Sequence, residues 1–188
     1  MSLPIIRWVG GKRKLLKKIL PLIPEYYGSY YEPFIGGAAV LLTQLDKKCI
    51  VSDVNQELVN FYQQIQKHHD VVQVAFCSFK NDEETYYLVR SWDRSKDFLT
   101  ERSEVERAAR FLFLNKTCFQ GLWRVNNKLG YNNVPYSRPK KINVEIANLK
   151  EFADDTKNVT FSHSDYESSL VRCQFNDFVY LDPPYVPI

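Results

Sequence analysis

The amino-acid sequence predicts an α/β fold: a parallel sheet covered on both faces, with a mostly helical insertion between its second and third strands. Two observations carry that prediction. Short β-branched and aromatic runs bounded by turn residues alternate with helix-spaced segments, the order expected of repeated strand–helix–strand units. The stretch from Val71 to Thr117 is helical in pattern throughout and interrupts the alternation. With 188 residues, 45% of them hydrophobic and 14% aromatic, the chain has material for a globular core, which excludes a disordered or fibrous protein.

Taken in order, Leu15 to Leu22 reads as the body of a first helix, entered through Gly10-Gly11 and closed near Pro21 and Pro24. Ser29 to Phe34 reads as a strand, the Gly36-Gly37 turn follows, and Ala38 to Leu45 reads as a helix. Lys48 to Asp53 is a second strand and Glu57 to Lys67 the helix after it. Within the helical insertion, Ser103 and Glu106 have the spacing of a capping box ahead of an apolar face of Ala109, Phe111, Leu112 and Leu114. Gln120 to Arg138, rich in Asn, Gly and Tyr, reads as a hairpin or ordered loop turning at Asn126 to Gly130. Helical spacing returns at Val144 to Phe152. Strands are expected at Asn158 to His163 and at Asp177 to Leu181, the last leading into Asp182-Pro183-Pro184-Tyr185. The expected organisation is residues 1–70, then an insertion over 71–141, then the catalytic domain resumed over 142–188.

No apolar run has the eighteen or more residues of a membrane span, and the start lacks the features of a signal peptide, so a cytoplasmic protein is expected. The four cysteines stand singly, without the pairing of a zinc site or the density of a disulfide scaffold; no metal is expected. Charge is unevenly placed. Residues 1–18 hold Arg7, Lys12, Arg13, Lys14, Lys17 and Lys18, residues 116–141 hold Lys116, Arg124, Lys128, Arg138, Lys140 and Lys141, and neither stretch contains an acid. Of the 25 Lys and Arg, 13 therefore remain against all 22 Asp and Glu in the rest of the chain. Two cationic stretches on an acidic body suit a polyanion, because clustered Lys and Arg gain from counterion release; they also suit a solvated helix face.

Three features fall where parallel strands end, the place at which such sheets bind ligands. Glu32-Pro33-Phe34-Ile35-Gly36-Gly37 ends in a glycine turn that lets a ligand approach the backbone, although simple turn geometry also explains it. Asp53 closes the next strand, where an acid either holds ribose hydroxyls or caps the following helix. Asp182-Pro183-Pro184-Tyr185 holds a carboxylate, a main-chain carbonyl and an aromatic face together at a stiffened exit. That set suits a planar heterocycle with an exocyclic amine, and the competing reading is a proline-rich turn.

Together with Trp8-Val9-Gly10-Gly11-Lys12, these motifs closely resemble the Dam-type, alpha-class DNA adenine-N6 methyltransferases, in order as well as content, from about Ile6 to Pro187. The resemblance implies a class I S-adenosylmethionine-dependent methyltransferase fold with a Rossmann-like parallel sheet. It implies cofactor contacts at Trp8, Lys12, Phe34, Gly36, Gly37, Asp53 and Asp182, and a catalytic loop of Asp182, Pro183 and Tyr185. Asn115 to Arg138 is similar to the family's DNA-reading hairpin, which implies that Gln120, Leu122, Arg124, Asn133, Pro135 and Arg138 contact DNA, with Arg7 as a further basic contact. The implied activity is methyl transfer from S-adenosylmethionine to N6 of an adenine flipped out of double-stranded DNA, within GATC, by a monomer.

Phe119-Gln120 stands where relatives often have Tyr-Asn, and Pro139 follows Arg138 where some have Tyr; both changes touch the reading surface. Four strands are counted against about seven in the resembled fold. The expectation is a chain cut short after its catalytic loop, lacking C-terminal strands and leaving an apolar sheet edge. The competing functions are a catalytically inactive DNA-binding relative and a methyltransferase acting on RNA or protein.

Overall fold

The computed structural model describes residues 2–126, 128–142 and 146–184. Its centre is a four-stranded parallel sheet of β1 (Tyr30–Glu32), β2 (Cys49–Asp53), β3 (Thr160–His163) and β4 (Phe178–Val179), in the order β3-β2-β1-β4. Registers pair Glu32 with Val51, Asp53 with His163, and Tyr31 with Val179. All four expected strands are present, each shorter than its apolar run. The chain moves outward from β1 through β2 to β3 and then returns to place β4 on the other side of β1. Strand order thus reverses between β1 and β4, and crevices open beyond the carboxyl ends of strands at such a switch.

Helical segments fill the remainder: α1 (Leu16–Ile19), α2 (Gln56–Cys77), α3 (Glu83–Arg90), α4 (Phe98–Glu101), α5 (Glu104–Thr117), α6 (Ile146–Thr156) and α7 (Tyr166–Leu170). The first helix is heterogeneous, with 3-10 turns at Lys12–Leu15 and Leu20–Leu22 on either side of α1. The expected helix from Ala38 to Leu45 is not formed; a single 3-10 turn, Leu41–Thr43, stands there. Ala38 sits at φ +60°, outside helical space, and the Thr43 hydroxyl donates to the Val40 carbonyl at 2.7 Å, local bonding that competes with a helix.

In contrast, α2 runs ten residues beyond the expected Lys67, kinked at His68, whose φ of −143° breaks the pattern before the helix resumes. It crosses positions 70 and 71. Its entry is capped by Asn55, whose side chain accepts the Leu58 amide at 3.2 Å. Gln63 and Gln66 donate to the Phe161 and Val159 carbonyls at 2.8 and 2.9 Å, which ties the helix to β3. The capping box at Ser103 and Glu106 is formed and starts α5, which packs along α2. Leu58, Phe61, Tyr62, Ile65, Phe111 and Phe113 are fully enclosed between these elements and form one core with Tyr30 and Val51 of the sheet. After α5 the chain makes the expected hairpin through antiparallel bridges between Cys118 and Tyr136 and between Val125 and Asn132. The structure adds α7, too short to register as a periodic pattern. Val144, expected to open α6, lies outside the described residues.

Candidate active site and nucleic-acid interface

Adjacent strands of the sheet deliver acids to the same end: Asp53 closes β2, Glu32 closes β1, and Asp182 follows β4 by three residues. Between them lies a cavity of about 480 Å³, lined by Trp8, Lys12, Glu32, Phe34, Gly36, Gly37, Asp53, Asp182 and Pro183 among others. Every residue expected to hold a cofactor is on that wall. Its size falls among small-molecule sites, roughly 300–1,000 Å³. Tyr185 lies outside the described residues.

The two glycines are required by Trp8. A Cβ on Gly36 would meet the indole at 2.8 Å and one on Gly37 would meet the Trp8 Cβ at 3.1 Å, while Gly36 itself takes φ +46°. The loop thus closes on the indole, which in turn stacks on Phe111 of α5 at 6.2 Å between centroids. Phe34 stacks on Tyr166 of α7 at 5.8 Å, making a second aromatic wall. The glycine turn does not open into an α-helix; a single 3-10 turn, Leu41–Thr43, follows it.

Asp53 does not cap α2; Asn55 does. Its two oxygens instead accept the Asn55 amide at 3.0 Å and the Gly36 amide at 3.3 Å, joining the end of β2 to the glycine loop. Burial pushes its carboxyl above the usual range, against these hydrogen bonds. Lys12 donates to the Gly10 carbonyl at 2.8 Å and forms an ion pair with Asp182, so the N-terminal segment reaches across to the proline loop.

Glu32 had received no role from the sequence, yet it is only 3% exposed and faces this cavity. Burial pushes its carboxyl up to about 8, and the nearby Asp182 and Asp53 add to the shift; the Tyr30 hydroxyl, donating at 2.9 Å, opposes it. An acid ending one strand, beside a strand that ends in Asp53 and another followed by Asp182, was the available signal. Two aspartates and a protonated Glu32 beside one lysine, between aromatic walls, fit a ligand that combines a flat ring, hydroxyl groups and positive charge.

The expected nucleic-acid residues occupy several places. Arg7 and Gln120 share a second, smaller cavity of about 230 Å³ with Lys116, Ser137 and Lys141. Asn115 fixes Arg7 there, accepting its amide at 3.1 Å and donating to its carbonyl at 2.7 Å. Lys116 is less free than its charge suggested: it donates to the Ile5 carbonyl at 2.7 Å, and burial pulls its ammonium pKa down. Arg124 is exposed on the hairpin and donates through Nε to Asn133 Oδ1 at 2.7 Å. Leu122 accepts from Cys118 Sγ through its carbonyl, and the Pro135 carbonyl accepts the Phe119 amide at 3.2 Å. Arg138 stands apart, paired with Glu83 of α3 at 2.9 Å in an exposed contact of the kind that contributes little. Trp123 packs 4.4 Å from Phe111, so one aromatic series runs from Trp8 in the first cavity to the hairpin.

Among the described residues no group of three or more His, Cys, Asp or Glu could hold a metal ion, and no helix is long and apolar enough to cross a membrane. A family model described as D12 class N6 adenine-specific DNA methyltransferase matches residues 8–188. The chain is 38% identical over 191 residues to the type II methyltransferase M1.LlaDCHI of Lactococcus lactis subsp. cremoris, covering 98% of this chain and 66% of that protein. It is 36% identical over 205 residues to the type II methyltransferase M.MjaIII of Methanocaldococcus jannaschii, covering 98% and 70%. With a DNA adenine methylase of Serratia marcescens it shares 33% identity over 187 residues, covering 97% and 67%. The chain thus spans about two thirds of the length of these relatives.

Proposed function

Because this chain belongs to the D12 class N6 adenine-specific DNA methyltransferases, we propose that it forms the cofactor site, catalytic loop and DNA-reading hairpin of an enzyme methylating adenine N6 in double-stranded DNA. The cofactor is S-adenosylmethionine, whose sulfonium supplies an electrophilic methyl group. The observation that carries this reading is the convergence of Trp8, Lys12, Asp53 and Asp182 on one cavity at the switch point of the sheet.

In this mechanism the chain's residues act by position and charge. Asp53 accepts the ribose hydroxyls on the lone pairs its two backbone amides leave, Trp8 and Phe34 flank the ligand, and Gly36-Gly37 admit it closely. Asp53 and Asp182 supply negative charge that attracts a cationic ligand, while Glu32, kept protonated by burial, adds a neutral acid to the wall. The amino group of adenine is a weak nucleophile because its lone pair is delocalised into the ring. Asp182 and the Pro183 carbonyl accept its two N–H hydrogens, which turns the nitrogen toward tetrahedral geometry and aims the lone pair at the methyl group. Lys12 holds the Asp182 carboxylate in place until the amine arrives. Extruding the base costs a few kcal/mol, offset by stacking on Tyr185.

The hairpin reads sequence, with GATC as the proposed target and Arg124 as the guanine reader. Gln120, Leu122, Asn133, Pro135 and Arg138, carried with Arg124 by the insertion over 71–141, complete the contact surface together with Arg7 of the N-terminal segment. The protein acts as a monomer in the cytoplasm.

The test is transfer of a radiolabelled methyl group from S-adenosylmethionine to duplex DNA, with RNA and protein as competing acceptors, by the protein and by its Asp182→Ala variant. Incorporation into duplex alone, lost in the variant, is expected. Equal incorporation by both would remove Asp182 from the chemistry, and salt-sensitive DNA binding without any transfer would favour a purely DNA-binding role.

A further inference from the structure

The most deeply buried charge in the described structure is Arg110 of α5, 0% exposed and lining neither cavity. Its Nε donates to the Val89 carbonyl at 2.9 Å and its Nη2 to the Arg90 carbonyl at 2.8 Å, which satisfies the end of α3. The same Nη2 lies 2.7 Å from Asp93 Oδ2. That carboxylate oxygen also accepts the backbone amide of Asn132, on the returning arm of the hairpin, at 2.8 Å. Asn132 Oδ1 then accepts the Val134 amide at 3.1 Å, and the Val134 carbonyl takes the Tyr86 hydroxyl and Arg90 Nη1, both at 2.8 Å.

The residues on either side of Asn133 are thus bolted to α3 and α5: Asn132 is 2% exposed and Val134 1%. Asn133 alone faces outward between them, its side chain accepting from Arg124 and its amide donating to the Arg124 carbonyl at 3.2 Å. A buried ion pair is a poor way to gain stability, because an apolar pair of the same volume does as well. It is a good way to fix one geometry, since a guanidinium with two helix-end carbonyls and one carboxylate admits few arrangements.

We propose that Arg110 and Asp93 are positioning residues for sequence discrimination: their buried pair docks the Asn132–Val134 arm so that Asn133 presents the Arg124 guanidinium in a single orientation. The proposal rests on the hairpin's being the reading element. Pre-aimed contacts discriminate because a wrong base then leaves fixed polar groups unpaired instead of letting them swing to another partner.

The test is competitive binding to a pool of duplexes randomised around one adenine, with enrichment read by sequencing and S-adenosylmethionine affinity measured in parallel. Arg124→Ala is expected to lose about tenfold or more in preference at one base position. Asp93→Asn, which keeps the shape but removes the charge, is expected to lose a comparable preference at that position while cofactor affinity stays unchanged. The double variant should lose no more than either single one, since both remove the same contact. Retained preference in Asp93→Asn, or additive losses in the double variant, would overturn the positioning role. Retained preference in Arg124→Ala would overturn the hairpin reading itself. Should Asp93→Asn not fold, Tyr86→Phe loosens the same arm by removing one hydroxyl, and a preference there equal to wild type refutes the proposal.

Discussion

Replacing Glu32 by Gln should convert a pH-sensitive protein into a less sensitive one. In the unfolded chain Glu32 titrates near 4.5, while in the folded chain burial and the neighbouring Asp182 and Asp53 push it up to about 8. Between those values the folded state holds a proton that the unfolded state has released, so unfolding free energy falls as pH rises through this window. At roughly 1.4 kcal/mol per pH unit, the full loss is about 5 kcal/mol, with roughly 3 kcal/mol incurred by neutral pH. Gln keeps the shape, cannot ionise, and can still accept the Tyr30 hydroxyl hydrogen. Urea unfolding of both proteins without cofactor, from about pH 5 to about pH 8.5, should give similar stabilities at the acid end and a growing advantage for Gln toward the alkaline end. A difference that stays constant across the range, or grows as pH falls, would show that Glu32 is not held protonated by the fold.

Two further outcomes follow from the packing. Gly36→Ala places a Cβ 2.8 Å from the Trp8 ring at a left-handed φ, so S-adenosylmethionine affinity measured by calorimetry should fall, with a stability loss of about 1–3 kcal/mol; unchanged affinity would show that the loop does not border the ligand. Arg107→Ala strands the Glu57 carboxylate, whose Oε1 accepts Arg107 Nε at 3.0 Å, and should cost about 3–5 kcal/mol in denaturant unfolding. A loss under about 1 kcal/mol would mean that water replaces the guanidinium there.

Much of this architecture could be read locally. The four strands, the Ser103–Glu106 cap and the turn-rich hairpin each depend on residues within a few positions of one another, and each stands where its residues predict. So does the gathering at the cavity, since strand ends of a parallel sheet share one side by topology, and punctuation by Gly, acid and Pro marks those ends. What escaped depends on partners far away in sequence. Ala38 to Leu45 has helical residues, but Ala38 takes a left-handed conformation in the loop that closes around Trp8. Asp53 was torn between two roles because its partner Gly36 and the true cap Asn55 are distinguishable only in space. Lys116 reads as a surface cation until the Ile5 carbonyl is found above it, 111 positions away. Glu32 lay inside a motif noticed for its glycines, and its raised pKa comes from enclosure, a property no short window of sequence carries.

The helix α2 links all of these places. It starts three residues after Asp53, spans 22 residues, and packs along α5, whose far end becomes the hairpin. At 1.5 Å per residue it reaches about 30 Å, making it a strut whose length and phase the rest of the molecule must accept. One residue inserted between Asn55 and Phe61 would rotate everything beyond it by about 100°, sending Phe61 and Ile65 out of register with α5. Insertions between α3 and α5 lie off this strut and displace nothing along it. Changes in chain length should therefore be tolerated around residues 95–97 and rejected within α2, however mild the residue added.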